Sequence, residues 1–140
     1  MKVFLDTNVL LDAIVVRNDA GLTDNAATIL SLGETSVVDL YMSVLSIPTI
    51  AYVLKNVSSE TKKLIIRNLT GIVSVLPSRD EHVMNMLDGT MSDIEDAMQV
   101  QSALEGSCDL IITRNCKDYS SCPIPVIRPD EFLSRVIKCD

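Results

Sequence analysis

The chain has 140 residues, with 19 Asp plus Glu against 12 Lys plus Arg and a formal net charge of -7. At 47% hydrophobic residues it can bury a core, which excludes intrinsic disorder, and its length fits a single domain over residues 1–140. The acidic balance excludes a domain that holds nucleic acid by bulk attraction, because that mode needs a basic footprint. It leaves open a nuclease whose carboxylates hold a metal.

Lys2-Val3-Phe4-Leu5 is a short β-favouring run that stops at Asp6-Thr7-Asn8, which are turn and cap residues. Leu10, Leu11 and Ile14 then recur at helical spacing. Residues 17–24 read as a polar loop, with Asp24 capping a helix from Asn25 to about Leu32. Residues 37–42 read as a strand. A helix follows from Ser46 or Ile47 to about Lys55, with Pro48 tolerated in its first turn. Residues 58–69 form a further helix with Leu64, Ile65 and Leu69 on its apolar side. Residues 72–76 are a strand, and Ser78 or Asp80 opens a helix to about Leu87. Ser92 caps a helix over residues 93–105 that Gly106 stops. Leu110-Ile111-Ile112 is a fully apolar strand, residues 124–127 are a last strand, and Pro129 starts a final helix.

Strands alternating with helices predict right-handed βαβ units: a three-layer α/β/α sandwich around a mostly parallel sheet. In such sheets ligands bind beyond the carboxyl ends of the strands, where the strand order reverses. No apolar run reaches the roughly 18–20 residues of a membrane span. The apolar N-terminus is interrupted by Asp6 and Asp12, unlike a secretory leader, so a cytoplasmic protein is expected. Cys108, Cys116, Cys122 and Cys139 match no zinc spacing and read as free thiols or small core residues. His82, the only histidine, lies far from the strand ends and reads as a packing or surface residue, so a Ser-His or Cys-His system is not expected. The phosphate-binding loop, the dinucleotide fingerprint and the nucleophile elbow are all absent.

Polar residues collect in three places: Asp6-Thr7-Asn8, Thr113-Arg114-Asn115, and Asp93 with Glu95 and Asp96. If the first and fourth strands are neighbours, the first two groups form one pocket. Each group also has a plainer reading. Asp6 is a good helix cap, Asp93 and Glu95 are ordinary first-turn acids, and Asn115 and Asp118 are good turn residues. Residues 80–96 nevertheless hold Asp80, Glu81, Asp88, Asp93, Glu95 and Asp96 without a Lys or Arg. Converging carboxylates repel unless protonated or bridged by a cation, and hard oxygen donors suit Mg²⁺ or Mn²⁺.

Taken in order, these segments resemble the PIN domain family of nucleases. Val3-Phe4-Leu5-Asp6-Thr7-Asn8 resembles its opening strand and Asp-[Thr/Ser]-Asn. Asp93-Ile94-Glu95-Asp96-Ala97 resembles its central acidic motif. Thr113-Arg114-Asn115 through Tyr119 resembles its closing motif, and Pro129-Asp130-Glu131-Phe132-Leu133 its tail. The resemblance implies a ribonuclease that uses Mg²⁺ or Mn²⁺, of the kind that serves as the toxin of a toxin–antitoxin pair. Its implied partners are an RNA substrate, an antitoxin protein and a second copy of the chain.

The resemblance also implies site residues. Asp6 and Asp96 are implied as catalytic metal ligands, with Asp93 binding directly or through water. Asn8 and Thr113 are implied to orient those ligands by hydrogen bonds. Two positions where the family usually carries a carboxylate hold Thr49 and Asn115, for which Asp118 or Glu95 are the candidate substitutes. Arg114 is the expected phosphate-binding base. Lys63 and Arg67, four apart on one helix face within a basic stretch that includes Lys55 and Lys62, are further candidates. The neutral pair motivates an alternative: a PIN-like domain weakened in catalysis that binds RNA or protein. A phosphohydrolase with Asp6 as nucleophile is a third reading, but it wants Asp-x-Asp, and residue 8 is Asn.

Overall fold

The structure, a computed structural model, describes residues 1–15 and 19–138. Five strands, β1 (Lys2–Leu5), β2 (Asp39–Ser43), β3 (Val73–Leu76), β4 (Leu110–Ile112) and β5 (Val126–Ile127), form one sheet. Its order is β3-β2-β1-β4-β5, and every pairing is parallel. The helices are α1 (Thr7–Ile14), α2 (Ala20–Glu34), α3 (Ser46–Val53), α4 (Ser59–Thr70), α5 (Asp80–Asp88), α6 (Ile94–Glu105) and α7 (Pro129–Lys138). A 3₁₀ turn spans Cys116–Tyr119.

Period-two alternation along β1 assigns its side chains to two cores. Val3 and Leu5 join Leu10, Ile29, Met42, Ile112 and Phe132 on one face; Phe4 joins Val100, Ala103, Ile111 and Tyr119 on the other. Phe4 has no exposed surface, and burying such a ring contributes about 2–3 kcal/mol. Both faces of the sheet are covered, which gives the expected α/β/α layering and makes β1 its central strand.

Several boundaries differ from the sequence expectation. Helix α2 starts at Ala20, five residues early, because the Asp19 carboxylate accepts the Gly21 N–H and caps it in place of Asp24. The loop expected over residues 17–24 is therefore helical from residue 20, while residues 17 and 18 and Cys139 lie outside the described residues. Leu64 is exposed, and Leu69 is the buried residue of α4. The C-cap of α6 is Gly106, as expected, but its φ is -76° and the left-handed residue is Ser107. Space beside Gly106 is tight instead: a Cβ there would lie 2.6 Å from Leu76 Cδ1, so that side chain would have to shift.

Strands β1 and β4 are neighbours, with Leu5 beside Ile112 in register. From β1 the sheet grows toward β2 on one side and toward β4 on the other, so the strand order reverses there. Asp6 and Thr113, each one residue beyond its strand, therefore stand side by side at the switch point.

Candidate active site

Asp6 occupies the N-cap position of α1 but makes no capping hydrogen bond with its side chain. Its backbone N–H donates to the Ile112 carbonyl at 3.0 Å, continuing the β1–β4 ladder. Its carboxylate turns inward, nearly buried. Thr113 Oγ1 donates to Asp6 Oδ2 at 2.6 Å, and Gln99 Nε2 donates to Asp6 Oδ1 at 3.2 Å. The plainer reading of Asp6 as a helix cap is thus excluded.

The second carboxylate is Asp96, in the first turn of α6. Its backbone N–H donates to Asp93 Oδ1 at 2.9 Å, so Asp93 is the true N-cap of α6. Asp96 Oδ1 accepts from Tyr119 Oη at 3.1 Å and from Gln99 Nε2 at 3.5 Å. Asp96 titrates far above an ordinary carboxylate, at about 7. Partial burial is the largest cause, followed by the charges of Asp6 and Asp93, and the Tyr119 hydrogen bond opposes them. The Tyr119 hydroxyl is held protonated by its own burial and by the charges of Asp6 and Asp96.

These groups open onto a cavity of about 160 Å³ lined by Asp6, Thr7, Asn8, Thr49, Asp93, Glu95, Asp96, Asn115 and Asp118. Five of the nine are carboxylates, and none is Lys, Arg or His. A base-free ring of hard oxygen donors is the donor set that a divalent cation of the Mg²⁺ or Mn²⁺ type requires. The two neutral positions, Thr49 and Asn115, sit on the same cavity as Glu95 and Asp118, the candidate substitutes. Thr49 Oγ1 donates back to the Leu45 carbonyl at 3.4 Å. The Asn115 backbone N–H donates to Thr113 Oγ1 at 3.2 Å and so helps orient the hydroxyl that holds Asp6.

Three other candidates stand elsewhere. Arg114, expected to face phosphate, turns instead to the buried Asp12, with Nε 2.9 Å from Asp12 Oδ2. It lines a different cavity, with Arg128 and Asp130, because consecutive residues after a strand point to opposite sides. Lys63 and Arg67 are exposed on α4 and do not line the acidic cavity. Asn8 lines it, but the donor to the second Asp6 oxygen is Gln99. Sequence reasoning missed Gln99, although a polar residue three positions after Asp96, between the buried Met98 and Val100, was a usable signal.

The only histidine is buried and structural. His82 Nδ1 accepts the Arg79 backbone N–H at 3.1 Å, which puts the ring proton on Nε2, 3.3 Å from Glu105 Oε2. Glu105 is also paired with Arg79. With Nε2 protonated, the Glu81–His82–Glu105 group has no imidazole lone pair to offer a metal. Among the described residues Cys108, Cys116 and Cys122 are free thiols, and burial pushes Cys108 up to about 11. No helix among the described residues is long and apolar enough to cross a membrane.

A family model described as PIN domain matches residues 2–117. The chain belongs to the PIN domain family. This PIN domain is 29% identical to Ribonuclease VapC1 of Aquifex aeolicus (strain VF5), covering 96% of this chain and 94% of the relative. Its fold matches VapBC-1 from nontypeable Haemophilus influenzae with a TM-score of 0.67, 17% identity, and coverage of 93% of this chain and 99% of that one. It also matches a toxin–antitoxin complex from Klebsiella pneumoniae with a TM-score of 0.65, 17% identity, and coverage of 91% and 97%. At these identities the structural matches establish the fold, which is the one expected from the strand and helix alternation.

Proposed function

We propose that this PIN domain is a divalent-metal-dependent ribonuclease that acts as the toxin of a toxin–antitoxin pair. One observation carries the reading: five carboxylates ring a cavity free of bases at the switch point of the sheet. Asp6 and Asp96 are the residues we assign as direct metal ligands, with Asp93 a third, direct or through water. Glu95 and Asp118 supply the negative charge that Thr49 and Asn115 lack. When bound, a Mg²⁺ or Mn²⁺ ion activates water and stabilises the charge that builds on a phosphodiester during hydrolysis.

The protein's own contribution is orientation. Thr113 holds one oxygen of Asp6, and Tyr119 holds one oxygen of Asp96. Gln99 donates to the second oxygen of Asp6 and to the same oxygen of Asp96 that Tyr119 holds. Lys63 and Arg67, exposed on α4, are the side chains we assign to backbone phosphates of the RNA. Arg114 is assigned to the scaffold instead, through Asp12. The ribonuclease name of the Aquifex aeolicus relative supports the activity, and the Klebsiella pneumoniae complex supports an antitoxin as partner. A second copy of the chain is a further proposed partner. The whole chain, residues 1–140, is taken as one domain.

The binding-only alternative rests on Thr49 and Asn115. Glu95 and Asp118 on the same cavity weigh against it. Purified protein incubated with RNA and Mn²⁺ is expected to cleave it, and Asp6→Asn and Asp96→Asn are expected to abolish cleavage. Equal cleavage by the variants would mean a contaminating nuclease and would overturn the proposal.

A further inference from the structure

We infer that Gln99 is the positioning residue of this site: it caps α1 in place of Asp6 and sets the separation of Asp6 and Asp96. The inference rests on the reading of these two carboxylates as metal ligands.

The starting point is the N-terminus of α1. A helix leaves its first N–H groups without partners, and an Asp at the N-cap ordinarily takes one of them with its carboxylate. Asp6 does not. The Thr7 N–H is taken instead by Gln99 Oε1, at 3.1 Å, across 92 positions of sequence. Gln99 Oε1 also accepts from Thr7 Oγ1 at 3.2 Å, and Thr7 Oγ1 contacts Ser46 Oγ on α3 at 2.7 Å. The cap arrives from α6, so the Asp6 carboxylate is released from the local role its position would give it.

The other end of the same amide faces the two acids. Nε2 has two hydrogens, one directed at Asp6 Oδ1 at 3.2 Å and one at Asp96 Oδ1 at 3.5 Å. Every donor and acceptor of the side chain is then used, as a group only 1% exposed requires. The orientation of the amide is not arbitrary. A flip would set Oε1 against two carboxylates and the NH₂ group against a backbone N–H, so three of its four contacts would turn repulsive and only the Thr7 hydroxyl could still pair with it. Asp96 and Gln99 are three apart on α6 and share a face, so the helix itself fixes one leg of the bridge. Gln99 therefore joins β1, α1 and α6 at one point, and brings a neutral donor between two acids that otherwise repel.

The test is Mn²⁺ affinity measured by calorimetry, with thermal unfolding of the metal-free protein beside it. Gln99→Met keeps the volume and removes both the cap and the bridge. It is expected to unfold cooperatively and to bind Mn²⁺ roughly 10–100-fold more weakly, the usual effect of losing a partner of a metal ligand. Gln101→Ala, on the same helix but paired with Asn85, is expected to keep the wild-type affinity. A Gln99→Met affinity within twofold of wild type overturns the inference, even if the variant melts lower, because that outcome describes a purely structural residue. If Gln99→Met does not fold, Gln99→Glu replaces it, since it retains an acceptor for Thr7 and loses the donors. Its metal-free Tm is expected to fall and Mn²⁺ to restore most of the loss; an unchanged metal-free Tm overturns the inference. Wild-type protein that binds no Mn²⁺ would instead overturn the metal reading itself, which separates the two failures.

Discussion

Replacing Thr113 by Val isolates one hydrogen bond of the site. Valine has the same shape and the same branching at Cβ, so no cavity opens at a position with no exposed surface. What disappears is the 2.6 Å bond from Oγ1 to Asp6 Oδ2 and the acceptor for the Asn115 N–H. A hydrogen bond to a charged partner contributes about 1.5–3 kcal/mol, and stranding a half-buried N–H adds up to about 1 kcal/mol. The expected loss is therefore about 2–4 kcal/mol, a fall in Tm on the order of 10 °C for a chain of this size. Urea unfolding of the metal-free protein is the assay: the midpoint should drop while the slope stays constant, since the surface exposed on unfolding is the same. Thr113→Ser keeps the hydroxyl and loses one methyl, and should cost only about 1 kcal/mol. Stability of Thr113→Val within about 0.5 kcal/mol of wild type would refute the reasoning, as would a serine variant equally damaged.

Two further outcomes follow from the charges. The folded-state pKa of Asp96, about 7, lies above the ordinary carboxylate value of 3.8. Its contribution to stability is therefore complete below about pH 4 and is lost as pH rises toward 7. In EDTA, Asp96→Asn should gain on wild type in Tm between pH 5 and pH 7 and hold that gain above it; a difference independent of pH would contradict the cause assigned to the shift. The Asp12–Arg114 pair is the other case, since Asp12 is 1% exposed. Arg114→Met should lower stability by about 1–3 kcal/mol, because it removes one charged partner of a buried carboxylate. Chemical denaturation reads this directly, and a variant as stable as wild type would return Arg114 to the role of a free phosphate-binding base.

Much of the fold was legible in the sequence because its signals are local. The run Val3-Phe4-Leu5 alternates between two cores, and a strand buried on both faces must be apolar throughout, which is how it reads. Pro48 in the first turn of α3 follows from backbone chemistry within one helical turn, whereas the cap of α6 falls on Asp93, one residue after the expected Ser92. Boundaries failed where two local signals competed. Asp19 and Asp24 are both competent caps, and sequence has no means of ranking them. Leu64 and Leu69 are equally apolar, and only the position of the sheet beneath α4 decides which is buried.

For the site, the sequence alone determined which residue types end the strands: Asp6, Thr113 and the acids around Asp96. Tertiary structure decided what each of them does. The pairing of β1 with β4 sets Thr113 against Asp6 across 107 positions, so a hydroxyl holds a carboxylate that would otherwise cap its own helix. The path of α6 brings Gln99 to the cap of α1, and the turn of the chain after β4 sends Arg114 to Asp12 and away from the acidic cavity. The same folding lines one cavity with Glu95, Asp118, Thr49 and Asn115, which are far apart in sequence. The physical reason is common to all four: hydrogen bonds and Coulomb attraction act over a few ångströms of space, while sequence records only distance along the chain.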